Sequence, residues 1–128
     1  MNKVQELHRA AMNLAEQADL AKLRGENRQV QNALRQALKL ESEAAQMVAD
    51  DLDSEPTRSV LHRSAASLAM ECGEFQMAEK LIARALAGSP PSDIEEELKD
   101  LFMQINLNHY LTRQGVQLTE TQLQLLAS

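Results

Sequence analysis

The chain predicts an all-α fold of antiparallel helical hairpins stacked on one another, about five helices with a short C-terminal tail. Three observations predict it. The apolar residues are mostly Leu, Ala, Met and Val; only Phe75, Phe102 and Tyr110 are aromatic, and there is no tryptophan. Leu and Ala favour helices, while strand-favouring residues are sparse. Apolar side chains also recur at three- and four-residue intervals along most of the chain, the period of one helix face. Finally, breakers fall between these stretches, at Gly25, at Gly73 and in the run "GSPP" at 88–91.

The first helix spans about Asn2 to Arg24, with Val4, Leu7, Ala11, Leu14, Ala18 and Ala21 on one face. Gly25 ends it, since glycine takes the positive φ that a helix C-terminus prefers. The second runs from about Glu26 to Ala49 on a stripe of Val30, Leu34, Ala37, Leu40, Ala44, Met47 and Val48. The acidic run "DDLDSEP" follows; Asp53 or Ser54 is expected to cap the third helix, and Pro56 suits its first turn. That helix, about Glu55 to Cys72, presents Leu61, Ala65, Leu68 and Cys72. After Gly73 the fourth, about Glu74 to Ala87, carries Phe75, Ala78, Ile82 and Ala85, and the prolines stop it. Ser92, with Glu95 three residues on, has the form of a capping box. It opens a fifth helix to about Arg113 with Ile94, Leu98, Leu101, Phe102 and Ile105 inward. The tail is ambiguous: Thr119 suits a helix cap, yet "QLQL" alternates as a strand does. A short helix is preferred.

An internal repeat organises these elements. "GENRQVQNALRQAL" from Gly25 and "GEFQMAEKLIARAL" from Gly73 align without gaps, 48 residues apart. In the second hairpin, Ala66 and Ala69 lie on the first helix, Gly73 at the turn, Phe75 after it, Ala78, Ile82 and Ala85 on the second helix, and Pro90 at the close. In this pattern Ser59 to Ser92 resembles a tetratricopeptide repeat, a helix–turn–helix of about 34 residues with small residues at inner positions. Asp19 to Ser42 resembles it more weakly. The resemblance implies a short α-solenoid in which Phe75 plugs the elbow and the small residues admit the neighbouring helix. It departs from the family pattern at His62, Ala65, Ala66 and Ala69, where the first-helix signature would stand. The second helix also overruns the motif by about fourteen residues, which should skew the first hairpin against the second. Residues 1–114 then form one domain, with hairpins 2–50 and 55–88, a capping helix 92–113 whose acidic start suits an array terminus, and a tail 115–128. The stretch "EPTRSVLHRSAASLAMECGEFQMAEKLIARALAGSPP" to "RQGVQLT" also looks like modules at the front of longer uncharacterised bacterial proteins. That implies an adaptor module standing alone or a fragment of a larger protein.

Composition bounds the function. A net charge of −6 argues against nucleic acid, whose phosphates need clustered Lys and Arg. The acid is local: Glu41, Glu43, Asp50, Asp51, Asp53 and Glu55, then Asp93, Glu95, Glu96, Glu97 and Asp100. It reads first as a solvated surface and second as steering for a basic partner. The lone Cys72 excludes an intramolecular disulfide and suits a reducing, cytoplasmic setting. The charged N-terminus is unlike a signal peptide, and no apolar run has the ~20 residues that span a bilayer.

Chemical candidates are few. His8, His62 and His109 lack the spacing of metal ligands. His62 and Cys72 stand ten residues apart on one helix, about 15 Å, too far to share an ion. Cys72 at a helix C-terminus reads as a buried, inert thiol, and Glu95, Glu96 and Glu97 as first-turn charges that offset the helix dipole. Neither an enzyme nor a cofactor or metal site is expected. Solenoid register instead places Ala15, Asp19, Lys22, Val60, Arg63, Ser67, Met70 and Glu71 on a groove between the first helices of the hairpins. Asp19, Lys22, Arg63, Ser67, Met70 and Glu71 are the partner-binding candidates, for a protein or peptide, basic in one version. The expected function is thus a non-enzymatic interaction module that binds neither nucleic acid nor membrane. A small acidic chaperone-like binder of one client and a self-associating structural bundle, such as a homodimer, stay open as alternatives.

Overall fold

The structure, a computed structural model, describes residues 2–115 and 119–127, apart from the side chains at 108, 109, 123, 126 and 127. The tail residues Val116 to Leu118 and the side chain of His109, both part of the expectations above, lie outside what is described. The described chain is all helix and turn: α1 (Lys3–Leu23), α2 (Asn27–Met47), a 3-10 turn (Leu52–Ser54), α3 (Thr57–Glu71), α4 (Phe75–Leu86), α5 (Ser92–Arg113) and α6 (Glu120–Ala127). No strand occurs among the described residues.

Each hairpin packs on itself, α1 on α2 and α3 on α4. In addition α2 packs on α3, and α5 lies against both α3 and α4. The core is built of small residues. Ala18, Ala37, Ala69 and Ala78 are fully buried in one cluster with Leu34, Leu38 and Leu68. Ala65, Ala66 and Ala85 sit in a second with Leu81, Ile82, Ile94 and Leu98. Leu7, Ala44, Ala45 and Leu61 form a third, at the other end of the first hairpin. Because α3 is covered by α2 on one side and α4 on another, it buries more than one stripe. Ser59, His62, Ala66 and Ala69 join the expected Leu61, Ala65 and Leu68.

The two hairpin turns have one geometry. Gly25 and Gly73 take φ of 73° and 75°. Gly25 N–H bonds Lys22 O at 3.1 Å, and Glu26 N–H reaches Ala21 O at 3.0 Å; Gly73 and Glu74 repeat the pattern on Met70 O and Ala69 O, at 3.0 and 2.8 Å. This double closure satisfies carbonyls that a helix end leaves open. The Gly-Glu pairs aligned in the sequence therefore play one structural role.

Five local expectations are corrected. The cap of α3 comes from neither Asp53 nor Ser54, which belong to a 3-10 turn that Asp51 caps; the Glu55 carboxylate instead accepts Ser59 N–H at 2.8 Å. Ser92 does not cap α5 but lies in its first turn, after Pro91. Phe75 plugs no elbow: it opens α4 at 52% exposure, and the core beside the turn is filled instead by the fully buried Ala69 and Ala78. Met47 and Phe102, assigned inward, are exposed at 53% and 45%. Met47, between the buried Ala44, Ala45 and Ala49, falls on the solvent side of the end of α2, and Phe102 lies to one side of the Leu98–Leu101–Ile105 seam. The tail ambiguity resolves as helix: Thr119 Oγ1 accepts Gln122 N–H at 3.2 Å, while Gln122 Oε1 accepts Thr119 N–H at 2.9 Å.

Candidate functional site

The face of α3 that carries the binding candidates follows from its spacing. Arg63, Ser67 and Met70 stand four and three residues apart, so they share a stripe. All three are half-buried. Met70 packs at the edge of the first core cluster, to which Ile105 of α5 also contributes. Two ion pairs border the stripe. Arg63 Nη1 meets Glu97 of α5 at 2.8 Å, and Glu71, the last residue of α3, meets Lys22 of α1 at 3.6 Å. Asp19, one turn before Lys22, is exposed and forms no ion pair among the described residues. Ala15 and Val60 are half-buried. The candidates thus divide into a central stripe on α3 and a pair of charged side chains on α1. A shallow depression of about 300 Å³ lies elsewhere, at the α1–α2 turn, between Gln17, Leu20, Arg24, Glu26 and Gln29.

Sequence reasoning passed over two buried polar joints. In the first, α1, α2 and α3 meet at Glu41, which is fully buried. His8 Nδ1 lies 2.9 Å from both of its carboxylate oxygens. Burial pushes the Glu41 carboxyl up from its ordinary range, against the hydrogen bond and charge of His8 and a hydrogen bond from Ser64. Among the described residues one cation-forming group, His8, itself partly in solvent, pairs with this buried acid.

The second joint ties the ends of α2 and α4 to α3 through Arg58, which is 3% exposed. Its Nε donates to Ala49 O at 2.7 Å, Nη2 to Arg84 O at 2.7 Å and Nη1 to Ala85 O at 3.3 Å. These carbonyls lie at or beside the C-termini of α2 and α4, where backbone acceptors lack helical partners and the dipole is negative. Glu55 adds an ion pair at 3.7 Å. Gly88 is required here because an added Cβ would collide with the Arg58 guanidinium.

His62, fully buried, sits one turn along. Its Nδ1 lies 2.7 Å from Arg58 O, an acceptor, so Nδ1 carries the proton; Nε2 then accepts from Arg84 Nε at 2.8 Å. This arrangement fixes the neutral tautomer. Burial lowers the His62 pKa, with the charges of Arg84 and Arg58 acting the same way against the Arg58 carbonyl bond and Glu55. Arg84 goes on to Gln46 of α2 at 2.7 Å. Among the described residues no buried side-chain nitrogen or oxygen lacks a hydrogen-bond partner.

The remaining chemical candidates stay apart. No three His, Cys, Asp or Glu side chains gather as a metal-holding group among the described residues. Cys72 is half-buried, and burial raises its thiol pKa. No described helix is long and apolar enough to cross a membrane. Comparison with known proteins finds no matching family model, curated protein or solved structure.

Proposed function

We propose that this chain is a non-enzymatic protein-interaction module of tetratricopeptide-like design, working in the cytoplasm. It takes a peptide or helix of another protein along the α3 stripe Arg63–Ser67–Met70, with Asp19, Lys22 and Glu71 at one end. One observation carries the reading. The stripe is half-buried and bordered by ion pairs to two other helices, Lys22–Glu71 and Arg63–Glu97. That leaves a half-buried strip with the apolar Met70 between charged edges, a surface suited to an extended or helical segment. Ser67 adds a hydroxyl able to donate to a ligand carbonyl or accept from its amide.

The test places a photo-crosslinking residue at position 67 and, as a control, at the exposed Gln76 of α4. The reading expects one dominant adduct from the native cell extract at 67 and none at 76, and loss of that partner from the Ser67→Arg protein. Equal labelling at both positions, or an unchanged partner with Ser67→Arg, counts against it.

A further inference from the structure

The outer side of α5 carries exposed acidic and apolar residues together. Ile94, Leu98, Leu101 and Ile105, spaced by four and three, turn inward: Ile94 and Leu98 are buried, Leu101 and Ile105 partly so. Two residues on from each, and so about 200° around the helix, stand Glu96, Asp100, Met103 and Leu107, and Tyr110 continues this second stripe. Glu96 and Asp100 are exposed, Met103 and Tyr110 are 53% and 52% exposed, Leu107 between them is half-buried, and Phe102 lies beside them. The N-terminal half of this face is acidic and its C-terminal half apolar. Glu96 and Asp100 have no ion-pair partner among the described residues; Lys99, between them, is held by Glu95 at 3.1 Å.

The composition of the stripe says what can cover it. On α3, the side that receives α4 is Ala65, Ala66 and Ala69, all fully buried. A helix seated that closely on α5 would bury Glu96 and Asp100 without cations, which is costly. Continuation of the stack by another close-packed helix is therefore disfavoured. A second copy fares no better, because each chain carries a net charge of −6 and a pairing about α5 would bring further unpaired carboxylates into the contact. What complements the face is a ligand with apolar side chains beside positive ones.

We propose that the outer face of α5, from Glu96 to Tyr110, docks a cationic amphipathic helix of a partner protein. Its apolar side chains cover Phe102, Met103 and Tyr110, and its Lys or Arg residues pair with Glu96 and Asp100. Such a helix lays its stripe along the face, the charges fix its direction, and opposite charge speeds the encounter. The site is separate from the α3 stripe and does not depend on it.

The test uses a fluorescein-labelled amphipathic helical peptide of leucine and lysine, about 18 residues or five turns long, read by fluorescence anisotropy. Two controls accompany it: the same pattern with glutamate for lysine, and a scrambled leucine–lysine sequence. The expected result is saturable binding of the patterned cationic peptide, with both controls weaker by about tenfold or more. Met103→Asp and Asp100→Lys should each weaken it about tenfold, as loss of a central anchor does. Asp51→Lys with Asp53→Lys, which reverses exposed acid at the α2–α3 connection, and Ser67→Arg should each leave it within about twofold. All these side chains lie at the surface or are half-buried, and circular dichroism checks that each variant keeps its fold. Equal binding of the scrambled peptide, an equal loss on reversing Asp51 and Asp53, or indifference to Met103→Asp overturns the proposal. So does sedimentation of the wild type as a dimer that Met103→Asp dissolves, since the occupant is then a second copy.

Discussion

The two buried polar joints solve one problem in opposite ways. At the first, a carboxylate is taken into the core and left with one half-exposed imidazole and a hydroxyl as its company. At the second, a guanidinium is taken in and surrounded by main-chain carbonyls from two helix ends, with an imidazole kept neutral beside it. The difference follows from what a helix terminus offers. Its last carbonyls are fixed, unpaired acceptors at the negative end of a dipole, so a cation buried there meets partners that fold with it. An anion buried in mid-helix meets none, because helical N–H groups are already used, and must depend on side chains. α1 and α3 close their carbonyls with positive-φ glycine turns; at the ends of α2 and α4, which have no such turn, Arg58 donates to the carbonyls.

That contrast can be broken most severely at Arg58. Arg58→Ala strands carbonyls at both helix ends and empties the space beside Gly88, so it should destabilise the fold by about 3–5 kcal/mol, measured by urea unfolding. Arg58→Lys, which keeps the charge but loses the planar fork, should recover only part of this. Gly88→Ala leaves every charge in place and crowds the guanidinium, at a cost of about 1–3 kcal/mol.

At the first joint, His8→Ala removes the main counter-group of Glu41. The loss should be about 1–3 kcal/mol at neutral pH, shrinking as the solution is acidified and Glu41 takes a proton. A loss equal at pH 7 and pH 4 would mean that His8 acts by packing rather than by charge.

The two joints also respond oppositely to pH. His62 has a lowered pKa when folded, so the unfolded chain binds its proton first. Its contribution is intact above the unfolded value of about 6.5 and is lost as pH falls from there through the folded value. Glu41 has a raised pKa, so the folded chain binds its proton first, and stability falls as pH rises from about 4.5 through the folded value. His62→Gln should flatten the first limb of a stability–pH profile and Glu41→Gln the second. The smallest effect is expected at Arg35→Ala. Its pair with Glu74, at 3.8 Å, joins two side chains more than half exposed, and the loss should stay below about 1 kcal/mol.

The helices, both glycine turns and most core stripes were legible in the sequence because each rests on local signals: a period, a breaker, a small residue. Glu41 and Arg58 were not, since a charged side chain is assigned by default to solvent. Signals existed all the same. Glu41 interrupts the stripe that runs from Leu34 through Ala37 to Ala44, and Arg58 stands three residues before Leu61 and seven before Ala65, on the face that Leu61 buries. The end of α2, lacking a glycine, also asked for another donor. What no single stretch contains is that Ala49, Arg84 and Ala85 converge on one side chain, because that depends on how the hairpins stack. The outer face of α5 shows the reverse case. Its period was read correctly, but which apolar residues fall outside the contact was decided by the position of α3 and α4.

A guanidinium is flat and rigid, and its N–H directions are fixed by resonance. Arg58 therefore acts as a spacing gauge between two helix ends that have no direct reason to keep station. Sliding α4 along α3 would draw Arg84 O and Ala85 O away from Nη2 and Nη1 while Nε stays on Ala49 O, so neither hairpin can shift its register without breaking bonds at the other's terminus. The stacking of the two units is thereby made discrete rather than continuous, with one side chain as its template.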